Sequence, residues 1–193
     1  MDTSDPLDIA TRSAWPPELR FLVERYPRQA WDAHANLGDM ARFWLSIHDG
    51  FRGFADSLAA GALDFREDRI GAAEYRRWLA PRLRYFLSGL EHHHQIEDHS
   101  FFPVFGTVEP RLVRGFDVLE RDHGTIHAAM DEMVATANAF LAEATDRDAL
   151  RRAADRYAGA GDRLQALLLR HLDDEEDLVI PLILERGEGA LGL

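Results

Sequence analysis

His171-Leu172-Asp173-Asp174-Glu175-Glu176-Asp177-Leu178-Val179-Ile180-Pro181 repeats an arrangement that the chain has already used at His93-His94-Gln95-Ile96-Glu97-Asp98-His99-Ser100-Phe101-Phe102-Pro103. Both stretches read His, acid at +4, acid at +5 and proline at +10. For any one histidine, that combination arises by chance roughly once in a thousand at average residue usage. The chain has nine histidines, so a second copy is not expected by accident. On a helix, residues i and i+4 lie one above the other, so each copy aims an imidazole and a carboxylate at one point. That is how helices hold a metal.

The repeat extends outward from these two stretches. His48 precedes His93 by 45 residues and His123 precedes His171 by 48. Each half therefore reads as a helical hairpin, with one His from its first helix and a His-Glu pair from its second. Leu37, Ala41, Trp44, His48, Phe51, Ala55 and Leu58 recur at steps of three and four, predicting a first helix from about Arg28 to Ala62. Gly61–Gly71 then reads as a charged connector. A second helix is predicted over about 72–102, a third through Leu112, Leu119, His123, His127, Met130 and Leu141, and a fourth through Leu150, Tyr157, Leu164, His171 and Leu178. Thr145 and Asp146 offer caps for the fourth.

The fold class is thus all-α, an up-down-up-down antiparallel four-helix bundle over 28–186. Residues 1–27 read as an arm with a short helix from Glu18 to Tyr26, and no chemistry is assigned to them. The glycine-bearing tail, 187–193, should fray.

Composition narrows the chemistry. Cysteine is absent, which removes disulfides, thiolate sites and iron-sulfur clusters together, so any metal must be held by nitrogen and oxygen. A net charge of -12 with no basic stripe argues against nucleic acid and anionic membrane surfaces. The beginning Met1-Asp2-Thr3-Ser4-Asp5-Pro6 is acidic where a signal peptide would be basic and then apolar, and no apolar run is long enough to span a bilayer. A cytoplasmic location is the expectation.

The candidate ligands are His48, His93, Glu97, His123, His127, His171 and Glu175. Five imidazoles and two carboxylates exceed the four donors of a tetrahedral zinc but suit two octahedral ions sharing carboxylate bridges. If both glutamates bridge together with one solvent oxygen, the ion held by His123, His127 and His171 has six donors. The ion held by His48 and His93 then has five, which leaves room for a diatomic ligand. His94 with Asp98 is a rival pair, but Leu172 stands opposite His94 in the second copy, so the internal alignment favours His93 and predicts that His94→Ala leaves metal content unchanged. Glu175 lies about 40° from His171 around the helix and Glu176 about 140°, which favours Glu175. Asp98, Asp174 and Glu176 read as a solvated face, though one could fix a ligand tautomer.

With these residues in place, the sequence resembles the hemerythrin family, including its bacterial His-His-Glu cation-binding members, over about residues 35–185. The resemblance rests on His48, His93-x-x-x-Glu97, His123-x-x-x-His127, His171-x-x-x-Glu175, Pro103 and Pro181. It implies two non-heme iron ions, oxo- or hydroxo-bridged and cycling between Fe2+ and Fe3+, that bind O2, NO or a related small molecule such as peroxide. Oxygen-carrying members place the last carboxylate at +5, which here is Glu176; many bacterial members use +4, which is Glu175. Three functions stand open: an O2- or NO-binding or sensing protein, a di-iron oxidoreductase turning over peroxide or NO, and an iron-responsive interaction module. Redox partner and oligomeric state are not legible.

Overall fold

The computed structural model describes residues 5–143 and 146–193 and is helical throughout its regular structure. The first four residues and Thr145 lie outside the described residues, and with them most of the leader comparison and one of the two expected caps. The helices are α1 (Phe21–Arg25), α2 (Asp39–Arg66), α3 (Ala72–Ile96), α4 (Phe102–Val108), α5 (Val113–Ala142) and α6 (Arg147–Arg186). Asp146 caps α6 as anticipated: its Oδ1 accepts from the Asp148 amide at 2.9 Å. Among the described residues no helix is long and apolar enough to cross a membrane.

The long helices each feed two compact units, one of residues up to Asp49 with His93–Gly124 and Leu169–Leu193, the other of Gly50–His92 and Thr125–Leu168. In the first, Trp15, Leu19, Leu22, Trp31, Leu37, Trp44, Phe102, Phe105, Phe116, Leu119 and the run Leu178–Leu184 form one continuous core. In the second, Phe65 stacks on Tyr75 with ring centroids 5.3 Å apart, and Phe140 closes edge-on over Phe65 at 5.2 Å.

Two local readings change. The first helix, expected from about Arg28 to Ala62, begins only at Asp39, after a separate 3-10 turn at Arg28–Ala30, and runs on past Gly61 to Arg66. A Cβ at Gly61 would stand 2.6 Å from the Trp78 ring, so this glycine permits close packing rather than marking a stop. Between α3 and α4 the helix widens into a π turn, Glu97–Phe101, in which the Phe102 amide reaches back to the Glu97 carbonyl. Such turns insert a residue and re-aim the side chains around them, and they collect at functional sites.

The two termini depart furthest from the sequence reading. The tail expected to fray forms a 3-10 turn, Glu188–Leu191, with Leu191 buried. Glu188 Oε1 accepts from the Ala41 amide at 2.9 Å, capping α2. Gly38 makes room for that carboxylate, since a Cβ there would lie 2.3 Å from Glu188 Oε2. At the other end the arm packs Leu7, Trp15, Leu19 and Leu22 into the core and buries Arg12.

Candidate metal centre

The four histidines and two glutamates of the repeated pattern meet inside the first unit. His48 comes from α2, His93 from the end of α3, Glu97 from the π turn, His123 from α5, and His171 with Glu175 from α6. All are buried apart from His93, whose side chain is 14% exposed. Their possible ligand atoms form two groups, His48-His93-Glu97-Glu175 and Glu97-His123-His171-Glu175, each within 4.8 Å. Both glutamates belong to both groups.

A third group joins His94 to His123 and His171. The alignment had set His93 against His94; the structure brings both in. Successive residues diverge by about 100° around a helix, so His93 turns toward His48, with ring centroids 5.1 Å apart, while His94 stacks on His123 at 3.9 Å. His127 is only half-buried, and among the described residues no such group includes it.

Distances inside the cluster suit ions. Around an octahedral ion with bonds of about 2.1 Å, neighbouring donors stand about 3.0 Å apart. His48 Nε2 and His93 Nε2 are 3.2 Å apart, and His123 Nε2 and His171 Nε2 are 3.0 Å apart. His93 Nε2 lies 2.9 Å from Glu97 Oε1, and His171 Nε2 lies 3.3 Å from Glu175 Oε2. Both Glu97 oxygens and Glu175 Oε2 are nonetheless buried without a hydrogen bond, a costly condition that a shared cation relieves. An N/O-only donor set with two carboxylates between two nitrogen sets fits a pair of first-row ions such as iron.

The surrounding acids fix the imidazoles. Glu176 Oε1 accepts from His48 Nδ1 at 3.0 Å, and Asp98 Oδ1 accepts from His123 Nδ1 at 2.8 Å. Each bond fixes the proton on Nδ1, so the neutral ring presents its Nε2 lone pair inward. The solvated-face reading of these acids therefore fails for Glu176 and Asp174, which are buried, and Asp98 has a specific partner in His123. On Glu175, Oε1 accepts from Trp44 Nε1 at 2.6 Å.

Electrostatics express the same crowding. Burial and the facing Glu175 push the Glu97 carboxyl well up. Burial also acts to raise Glu175, but His48 and His171 outweigh it and hold that carboxyl low. Burial works against a charged His48, yet Glu175 and Glu176 raise it to about 9, whereas burial brings His93 down to about 3. Glu175 thus leans on two imidazoles, His48 and His171, whose hold on a proton it strengthens, and a cation bound at this point would take over from that positive charge.

The sequence matches the family described as the hemerythrin HHE cation-binding domain over residues 39–183. No curated protein and no solved structure matches the chain.

Proposed function

This chain belongs to the hemerythrin family of HHE cation-binding domains, and from that membership we propose that it holds a carboxylate-bridged pair of iron ions and binds or senses O2 or NO there. The observation that carries the reading is the presence of Glu97 and Glu175 in both four-residue groups. One pair of carboxylates serving two pairs of imidazoles is what a bridged dinuclear site requires. An up-down-up-down antiparallel four-helix bundle is the topology we infer with it.

In this reading His48 and His93 hold one iron, and His123 and His171 hold the other. His94 takes the third imidazole place on the second side, which spacing alone had given to His127. Once bound, the iron pair supplies the reversible electron changes that O2 and NO binding draw on. With two shared carboxylates and one solvent oxygen, the His94-His123-His171 side would offer six donors and the His48-His93 side five. The small ligand therefore belongs beside His48 and His93. Trp44 walls that side, with its ring 6.2 Å from His48, 6.4 Å from His93 and 4.8 Å from Phe101, and it limits water there.

The test is iron analysis of anaerobically purified protein, followed by optical spectra on admitting O2 or NO. We expect two irons per chain and a new visible band that disappears when the gas is removed. Sustained turnover of peroxide or NO would move the assignment to a di-iron oxidoreductase. Fewer than two irons per chain after careful reconstitution would overturn the bridged pair.

A further inference from the structure

The family match begins at residue 39, and the segment ahead of it lies against the outer side of the centre. Its target is the run Asp173-Asp174-Glu175-Glu176-Asp177, five acids in succession on α6. Like charges at this density repel and disfavour the helix. Glu175 turns inward to the imidazoles, and three of the other four are met by arginines. Arg12 donates from Nε to Asp174 Oδ2 at 2.8 Å and from Nη2 to Asp122 Oδ2 at 2.6 Å. Arg28 donates to Glu176 Oε2 at 2.7 Å, to Asp177 Oδ1 at 2.8 Å and to the Asp173 carbonyl at 2.7 Å.

Each arginine is backed by a tryptophan three residues on. The Arg12 guanidinium lies 4.6 Å from the Trp15 ring centre and that of Arg28 lies 5.0 Å from Trp31. Both tryptophans are buried and anchored by their indole N–H groups, Trp15 on the Asp174 carbonyl and Trp31 on the Tyr26 carbonyl, each at 2.8 Å.

The contacts continue to the ligands. Arg28 holds one oxygen of Glu176, and the other oxygen holds His48 Nδ1 at 3.0 Å. On the opposite flank Arg12 holds Asp122, whose Oδ2 stands 3.9 Å from His171 Nδ1. We propose that the segment before residue 39 is a working part of the metal centre, in which Arg28 through Glu176 and Arg12 through Asp122 and Asp174 are positioning residues, so that docking of this segment and retention of the metal are coupled. The inference rests on the iron-pair reading. By linkage, the coupling is reciprocal in affinity: a docked arm tightens iron binding, and bound iron tightens docking of the arm.

The experiment compares wild type with Arg28→Met, Arg28→Lys and Arg25→Met. The last is a control in the same segment, where Arg25 pairs with Glu185 at 2.9 Å and does not lead to a ligand. Each is reconstituted with ferrous iron and followed by iron content, optical spectrum and the rate of iron loss to a ferrous chelator. We expect Arg28→Met to take up two irons, shift the visible bands and lose iron about tenfold faster. Arg28→Lys should restore part of both effects, and Arg25→Met should match wild type.

In wild type, amides of residues 7–37 should exchange more slowly with iron bound than without. An Arg28→Met protein indistinguishable from Arg25→Met overturns the proposal while wild-type loading leaves the iron pair standing. Wild type that never holds two irons overturns both. Should Arg28→Met not fold, the wild-type exchange comparison decides, and equal rates with and without iron overturn the coupling.

Discussion

His94 lies face to face on His123, with ring centroids 3.9 Å apart and planes within 9°, and His171 closes edge-on to His94 at 5.5 Å. This contact gathers three imidazoles, His94, His123 and His171, on one side of the cluster, while His93 faces His48. His94→Ala should therefore lower iron content from two per chain toward one, whereas His127→Ala should leave both. Elemental analysis of the two variants decides between them, and loss of iron only from His127→Ala would reinstate the assignment by spacing.

Glu97 is buried among imidazoles with both oxygens lacking hydrogen bonds, and it faces a second carboxylate. Its cost to the metal-free fold and its service to the metal have the same origin. Glu97→Gln should stabilise the metal-free protein by about 1–3 kcal/mol in urea unfolding, while losing most of the second iron. A carboxyl raised by burial destabilises increasingly as pH climbs above its unfolded value, so the gain should be larger at pH 7 than at pH 4. A variant less stable than wild type at pH 7 would contradict this.

Trp44 donates to Glu175 Oε1 at 2.6 Å from a ring that also packs on Phe101 and Phe105. Trp44→Phe keeps an aromatic face but removes the donor from a buried oxygen. A loss of about 1–3 kcal/mol is expected in the metal-free protein. The loss should shrink when iron occupies the carboxylate, and parallel urea titrations with and without iron measure it.

Much of the centre was legible because it is local or periodic. The duplicated His-x-x-x-Glu pairs announce His93, Glu97, His171 and Glu175, and helical seams place His48 and His123 opposite them. The preference for His93 over His94 did not anticipate that one helix can address two flanks with adjacent residues. A rule that asks both hairpins to match discards His94 because Leu172 stands in its place. The contacts of the arm were not legible from periodicity, since Arg12 reaches Asp174 across 162 residues and Arg28 reaches Glu176 across 148. The signals that could have pointed to them are the run of five acids at 173–177 and the two Arg-x-x-Trp pairs ahead of residue 39.

Glu109, in the turn between α4 and α5, is a buried carboxylate away from the candidate metal ligands and is held by two arginines. Arg111 grips both its oxygens at 2.7 and 2.9 Å, and Arg186 at the end of α6 reaches the second at 2.9 Å. The hydrogen bonds from Arg111, aided by Arg186, outweigh burial and lower the carboxyl from 4.5 to about 2. Because the folded value is the lower one, the carboxylate contributes its stability above pH 4.5, and that contribution fades as pH falls toward about 2. Glu109→Gln should thus cost about 1–3 kcal/mol at pH 7 and progressively less through this acid window. Urea midpoints of the metal-free proteins at pH 7 and pH 3 measure the change, and a gap that stayed constant between them would show that Glu109 acts through packing rather than charge.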